Sequence, residues 1–325
     1  MNSIMVAKLT DVAKLAGVSP TTVSRVINKK GYLSEKTIQK VQEAMRELGY
    51  KPNNVARSLQ GKSAKLVGLI FPNISHVFYA ELIDKLEHQL FKHGYKTIIC
   101  NSEHNSEKER EYIEMLEANQ VDGIISGSHN LGIEDYNRVT APIIAFDRNL
   151  SPEIPVVSSD NYAGGVLAAE TLVKSGAKKI IMITGNDNSN SPTGLRHAGF
   201  ASVLPESMII NVSSDFSPIR KEMEIKQILT QQKPDAIFAS DDLTAILIMK
   251  VAKELELQIP QDLKVIGYDG TQFIENYTPE LTTIQQPLKD IAILIVDLLL
   301  QKIEGKQVAT TGYFLPVSLH SGKSI

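Results

Sequence analysis

The stretch Leu15-Ala16-Gly17-Val18-Ser19-Pro20-Thr21-Thr22-Val23-Ser24-Arg25 constrains this chain more than any other. Gly17 tolerates the left-handed conformation that closes a helix and turns the chain. Ser19 is a good N-cap, and Pro20 then falls at the first helical position, where a missing N–H costs nothing. Val23, Val26 and Ile27 recur at i, i+3, i+4, so one face of the following helix is apolar. Thr21, Thr22, Ser24 and Arg25 fall on its other faces. The pattern predicts a helix, a tight turn and a second short helix presenting small polar groups and one forked cation. A helix-turn-helix recognition helix meets base edges in the major groove in this way.

The charge distribution agrees. The first 65 residues carry 12 Lys and Arg against 4 Asp and Glu, a net of +8; the whole chain is -3, so the remainder is -11. A basic arm on an acidic body points to a polyanion met by the N-terminus alone. The single cysteine, Cys100, excludes an intrachain disulfide and fits a reducing compartment. It closes the apolar run Thr97-Ile98-Ile99 and reads as a buried strand residue. Met1 to Leu9 has no long apolar stretch, so no signal peptide is expected and the chain reads as cytoplasmic. The aliphatic run Ile291 to Leu300 is too short to span a bilayer and is broken by Asp297, so no membrane partner is expected.

Thr10-Asp11 can cap a first helix running to Ala16, with Val12, Ala13, Leu15 and Ala16 free to pack. Lys29 to Tyr32 reads as a loop. Ser34 caps a third helix, in which Ile38, Val41, Met45 and Leu48 step by three and four residues before Gly49 ends it. The expected core is Val12, Val23, Ile27, Ile38, Val41, Met45 and Leu48, with lysines and Arg25 around it. Lys51-Pro52-Asn53-Asn54 then breaks the helix. Val55 to Gly61 permits about two helical turns, too few to be stable alone in water. Two readings stay open. The segment folds on DNA, with Leu59 as a minor-groove wedge and Asn53 and Arg57 near the backbone or groove floor; or it is a plain linker with Leu59 packed on the body.

The set Asp11-Val12-Ala13, Ala16-Gly17-Val18-Ser19, Thr22-Val23-Ser24-Arg25-Val26-Ile27-Asn28, Lys51-Pro52-Asn53 and Ala56-Arg57-Ser58-Leu59 resembles the lactose-repressor (LacI/GalR) family of bacterial transcription regulators. The resemblance implies an all-α helix-turn-helix DNA-binding domain over 1–52 and a hinge helix or linker over 53–63. A two-lobed α/β body of the periplasmic-binding-protein type, carrying effector binding and dimerisation, would follow over 64–325. It also implies a homodimer on double-stranded, pseudo-palindromic operator DNA, kinked where two Leu59 side chains enter. Pro20, Thr21 and Arg25 match positions that face base edges. The expected DNA-contact set is Thr10, Ser19, Pro20, Thr21, Thr22, Ser24, Arg25, Asn28, Tyr32, Asn53, Arg57 and Leu59.

From Leu66 the periodicity changes. Leu66-Val67-Gly68-Leu69-Ile70-Phe71 is a continuous apolar strand of the kind buried in parallel sheets. Helices near 78–93 and 106–118 alternate with strands at 97–100, 121–126 and 143–146. After Asp160 a second series follows, with helices near 162–174, 218–230 and 242–255 and strands at 179–184, 208–212, 236–239 and 265–267. A long helix, 288–303, comes near the end. This is βαβ repetition in two lobes, with a ligand cleft expected between them at the carboxyl ends of the strands. The chain is expected to cross between lobes near Asp147, near Asp269 and after Ile284. No heptad repeat follows Phe314-Leu315-Pro316, so a tetramerising coiled coil is not expected.

Phe146-Asp147-Arg148, Ala239-Ser240-Asp241-Asp242 and Gly267-Tyr268-Asp269 each place a carboxylate just past an apolar strand. Such carboxylates can bind sugar hydroxyls, cap helices or serve acid–base chemistry. Asp242 and Asp160 read as helix N-caps. Phe78-Tyr79 and Phe216 can stack on a sugar ring, although Phe78 can equally be core. By the family resemblance, Phe78, Tyr79, Asp147, Arg196, Phe216, Asp241 and Asp269 match positions lining the effector cleft. The effector expected is a small-molecule sugar or sugar phosphate, with Arg196 able to pair a phosphate. Phe71 to Ser75, Asn186 to Gly194 and Thr311 to Val317 are most similar to the branch of the family that represses sucrose operons in Gram-positive bacteria.

Catalysis finds no constellation. The seven histidines are scattered, and neither HExxH nor GxSxG occurs. Gly61-Lys62-Ser63 and Gly322-Lys323-Ser324 imitate the end of a phosphate-binding loop, but Ala56 and Val317 stand where its first glycine belongs. Ala163-Gly164-Gly165 is a weak phosphate cradle. No enzyme activity, cofactor or metal is expected. A secreted solute-binding protein would share the body but not the basic module. Within the family, the rival is a catabolite-control-type regulator whose body binds a phosphorylated phosphocarrier protein as corepressor.

Overall fold

In the first unit Gly17 sits at φ +66, and its N–H meets the carbonyls of Ala13 and Lys14, closing α1 (Leu9–Ala16). Helix α2 (Pro20–Ile27) starts where the sequence places it, with Ser19 Oγ accepting from Thr22 N at 3.1 Å. Ser34 caps α3 (Glu35–Glu47) by accepting from Thr37 N. The first helix differs from expectation: it begins at Leu9, and Asp11 caps it from inside by accepting from Lys8 N at 2.8 Å. The core is Val12, Ala13, Ala16, Val23, Val26, Val41 and Ala44, with Ile27, Ile38 and Met45 partly buried against it. Leu48, expected inside, lies past the last turn of α3 and is exposed, as is Leu15.

The structure is a computed structural model that describes residues 7–27, 31–50, 63–128, 130–185 and 191–325. It separates into two units, Met1–Ala64 and Lys65–Ile325.

The second unit holds two six-stranded sheets. The first contains β1 (Leu66–Phe71), β2 (Lys96–Asn101), β3 (Gly123–Ser126), β4 (Ile143–Phe146), β5 (Val156–Ser159) and β11 (Tyr313–Leu315). Their order is β11-β5-β4-β3-β1-β2, every neighbour parallel, with Gly68 level with both Ile98 and Ile124. The second contains β6 (Ile180–Thr184), β7 (Met208–Asn211), β8 (Ala236–Ala239), β9 (Lys264–Asp269), β10 (Thr282–Gln285) and β12 (Ser318–His320). Their order is β12-β10-β9-β8-β6-β7, parallel except for the β10–β12 pair.

Both sheets are buried on two faces, which is why their strands read as unbroken apolar runs. In the first lobe Val67, Leu69 and Phe71 face α4 (Val77–Lys92) and α12 (Leu288–Ile303), while Ile70 faces α5 (Ser106–Ala118) in a core that includes Tyr136 of α6 (Ile133–Asn137). Cys100 lies in the second of these cores, where burial pushes its thiol up to about 11 and leaves it unreactive. In the second lobe Ile181, Ile183 and Ile237 face α9 (Pro218–Gln232) and α10 (Asp242–Glu254) in a core that includes Ile274 of α11 (Gln272–Tyr277). Met182, Phe238 and Tyr268 face α7 (Asn161–Lys174) and Phe200 of α8 (Pro192–Val203).

The three crossings between lobes are not all where the sequence suggests. The chain leaves the first sheet after β5 at Ser159, returns after β10 at Gln285, and passes back between β11 and β12 at Pro316. The crossing after Ile284 is found, but Asp147 and Asp269 lie inside single lobes. Each of those two aspartates ends a strand whose next strand joins the same sheet, β4 to β5 and β9 to β10. Short apolar runs cannot report which sheet they join, and β5, β10, β11 and β12 are three or four residues long. Helix α8, rich in small residues, also escapes the periodicity.

Helices α7 and α8 cross at backbone contact. A Cβ on Gly165 would overlap the Arg196 carbonyl, and one on Gly199 would overlap the Tyr162 carbonyl. The glycine pair read as a weak phosphate cradle is therefore a packing device: Gly164 leaves room for the Tyr268 hydroxyl and Gly165 for the next helix. Gly199→Ala forces the helices apart and is expected to destabilise the chain by about 1–3 kcal/mol. Denaturant unfolding measures this, and an unchanged midpoint would show that the crossing is not tight.

Candidate functional site

Two groups of side chains stand out. In the first unit Thr10, Ser19, Pro20, Thr21, Arg25 and Tyr32 are exposed, and Thr22 and Ser24 are half-buried. Thr22 Oγ1 is within 2.9 Å of Ser19 Oγ, so these two brace the start of α2 and the turn before it. Arg25 makes no side-chain hydrogen bond or ion pair among the described residues, and Tyr32 is 99% exposed. Thr21 and Arg25 thus stand free on α2, opposite the face that buries Val23 and Val26. Asn28, Asn53, Arg57 and Leu59 lie outside the described residues.

In the second unit a cavity of about 240 Å³ opens between the lobes. The first lobe lines it with His76, Phe78, Tyr79, His104, Gly127, Phe146, Asp147 and Arg148. The second lobe adds Gly185, Pro192, Thr193, Arg196, Ser214, Ser240, Asp241 and Asp269. Most of these follow the carboxyl ends of strands, where open α/β sheets bind ligands. Six of the seven expected residues meet here. Phe216 is not among the lining: its ring packs on the second lobe's core and is capped by the Arg220 guanidinium at 3.6 Å. Phe78 is both core and wall: it belongs to the first lobe's core and also lines the cavity.

Arg196 dominates the second-lobe wall. It is 7% exposed, donates from Nε to Asn161 Oδ1 (2.8 Å) and from Nη1 to the Ser240 carbonyl (2.7 Å), and lies 3.7 Å over the Tyr268 ring. Asp269 Oδ1 is 3.8 Å from Nη1. Burial opposes its charge, but Tyr268, Asp269, Asp147 and Asp241 outweigh burial and hold it as a cation.

The carboxylates have separate employments. Asp147 accepts from Ser158 Oγ (2.6 Å) and Asn161 Nδ2 (3.2 Å). Asp241, and not Asp242, caps α10, accepting from Thr244 N and Oγ1, both at 2.8 Å. Asp242 points inward, accepting from Gly270 N (2.8 Å) and Thr283 Oγ1 (2.6 Å), and burial pushes its carboxyl up to about 7. Asp160 does cap α7. Burial also holds Asp269 well above the usual carboxylate range, an effect Arg196 only partly offsets. Asp147 and Asp269 both adopt positive φ, +67 and +123, strained values for residues with a Cβ.

Sequence reasoning missed Asn161, Ser158 and Gln286. Asn161 joins Arg196 to Asp147, while Gln286 donates to Asp269 Oδ1 (2.8 Å) and accepts from Ser159 Oγ (2.7 Å). Both sit where the chain crosses between lobes. Polar residues at a crossing are the available signal, and it emerges only once the crossings are located.

Comparison with known proteins fits both groups. Residues 8–53 match bacterial regulatory proteins of the lacI family, and residues 169–325 match the periplasmic binding protein-like domain. The chain is 70% identical over 321 residues to a sucrose operon repressor of Streptococcus mutans, covering 99% of this chain and all of that one. It is 55% identical to a sucrose operon repressor of Lactococcus lactis, covering 97% and 99%. Among solved structures, the lac repressor dimer bound to operator and the anti-inducer ONPF superposes with a TM-score of 0.84 at 29% identity, covering 98% and 99%.

The buried carboxyls give the site a pH signature. Asp242 and Asp269 hold protons more tightly in the fold than in an unfolded chain. Their contribution is therefore full below about pH 4, the unfolded value, and is lost as pH rises through the folded values, about 7 for Asp242. Asp242→Asn keeps the shape without the charge. Its melting temperature relative to wild type is expected to climb between pH 5 and 8; a difference independent of pH would contradict the burial effect.

Proposed function

This chain belongs to the LacI family of bacterial regulatory proteins, and from that premise we propose that it represses a sucrose-utilisation operon and is released from its operator by a sugar or sugar phosphate held in the cleft. The observation that carries this reading is 70% identity, end to end, to a sucrose operon repressor. Residues 1–52 read the operator, 53–63 couple, and 64–325 sense the effector and dimerise. Two copies bind the two halves of a pseudo-palindrome, as the lac repressor dimer binds its operator. The protein works in the cytoplasm, where the DNA is.

On each half-site Pro20, Thr21 and Arg25 face the bases. Arg25 supplies a bidentate fork suited to guanine O6 and N7. Thr10, Ser19, Thr22, Ser24, Asn28 and Tyr32 hold the backbone. Asn53, Arg57 and Leu59 act at the operator centre, Leu59 as the wedge. In the cleft, Asp147, Asp241 and Asp269 accept from sugar hydroxyls, Arg196 orients them, and Phe78 and Tyr79 bound the ring. Effector and operator favour different arrangements of the body, so each weakens the other's binding by one coupling free energy, about 1–3 kcal/mol.

Gel shifts against a genomic operator library are expected to select a palindromic site, and binding without sequence preference would end the repressor reading. Arg25→Ala is expected to cost about 1–3 kcal/mol on that site with little effect on random DNA. Calorimetry with sucrose, sucrose 6-phosphate, fructose and fructose 6-phosphate is expected to give heat with at least one sugar. Heat only with a phosphorylated carrier protein would replace the sugar by a corepressor.

A further inference from the structure

The cavity carries one cation with nothing to bind. Arg148 follows Asp147 at the end of β4, is half-buried and lines the first-lobe wall. Its guanidinium makes no hydrogen bond or ion pair among the described residues. Burial depresses its affinity for the proton, which marks a charge lacking full solvation. Tyr79 and Asp147 favour its charge without outweighing burial. Asp147 accepts from Ser158 and Asn161, Asp241 from Thr244, and Asp269 from Gln286 with Arg196 3.8 Å away, which leaves each carboxylate with lone pairs for a ligand, and none of the three pairs with Arg148. Arg196, which the sequence offers as a phosphate partner, has two of its three nitrogens bonded inside the protein.

The same wall carries donors beside the Asp147 carboxylate, which accepts from Ser158 and Asn161. His76 Nδ1 accepts from Phe78 N, so its neutral tautomer carries the hydrogen on Nε2. The Tyr79 hydroxyl, pushed up to about 12 by burial, stays protonated, and its ring packs edge-on against His76. His104 is an exposed residue on the same rim. The two walls differ: on the second lobe Arg196 is bonded within the protein beside Asp241 and Asp269, while on the first Arg148, only partly offset by Asp147, stands with the donors of His76 and Tyr79.

Resting on the sugar-responsive reading above, we infer that the effector is a phosphate monoester of a sugar, its phosphoryl group held by Arg148 and the donors His76 and Tyr79, its hydroxyls turned to Asp241 and Asp269. A guanidinium fork matches two phosphate oxygens, and such charge-assisted pairs are stronger than the neutral hydrogen bonds a sugar hydroxyl would make there. A neutral sugar would leave the Arg148 charge facing ligand carbon or hydroxyl.

The test is calorimetry on the full-length protein with fructose 6-phosphate, sucrose 6-phosphate, fructose, sucrose and inorganic phosphate. At least one phosphorylated sugar is expected to bind about tenfold or more tighter than its neutral counterpart. Inorganic phosphate alone is expected to bind more weakly than that ester, since it makes no use of the hydroxyl acceptors. Arg148→Gln is expected to bind ester and neutral sugar with equal affinity, and Arg148→Lys to keep part of the preference. A neutral sugar binding as tightly as its ester, or an Arg148→Gln protein that keeps the preference, overturns the inference and leaves a sugar-responsive repressor standing. Heat with none of the sugars overturns both.

Discussion

Asn161 Oδ1 accepts from the Arg196 guanidinium and, at 3.3 Å, from the Tyr268 hydroxyl, while its amide nitrogen reaches Asp147 Oδ1 and the Ser159 carbonyl. One short side chain, at the residue where the chain enters the second lobe, thus holds a strand end of each lobe in register with the other. Both ends of the amide are used and Asn161 is buried, so neither lobe can shift there without breaking a buried hydrogen bond. An unmade bond there costs more than a surface one. Gln286, at the second crossing, repeats the arrangement between Ser159 and Asp269.

The network also explains why a guanidinium can be buried in this wall. Isolated burial of a charge is prohibitive; a charge with directed partners is tolerated. Arg196 has a carbonyl, an amide oxygen, an aromatic face and a carboxyl around it. Its position follows from the helix crossing, because Gly165 and Gly199 let α8 approach α7 closely enough for the side chain to reach both Asn161 and Ser240. Glycine and arginine are here parts of one device: the first sets the distance, the second uses it.

Features with a local cause were legible in the sequence. Gly17, Ser19 and Pro20 place the turn and the start of α2, and the run from Leu66 to Phe71 announces a strand buried on both sides. Strand-end aspartates were legible for the same reason, since a carboxylate after an apolar run has few other places to be. What stayed hidden depends on distant partners. The bounds of β5 and β10 to β12 are set by which sheet receives them. Phe216 reads as a stacking aromatic, and its ring packs instead on the second lobe's core beneath the Arg220 guanidinium. Asp241 and Asp242 exchange roles because the first faces the turn of α10 and the second faces Gly270 and Thr283, residues 28 and 41 positions further on.

The threefold passage between the sheets has a further consequence, in time. The first lobe's core contains α12, and its outermost strand is β11, both drawn from the last forty residues of the chain. The second lobe needs only residues after Ser159, completed by β12. During synthesis the lobe that emerges first is therefore the one that waits longest for its missing helix, with the faces of Leu69 and Phe71 covered by α4 alone in the meantime. The two lobes finish almost together, within a few residues of each other, and a ribosome that stops short of Tyr313 leaves each sheet without its outer strand, exposing the edges of β5 and β10.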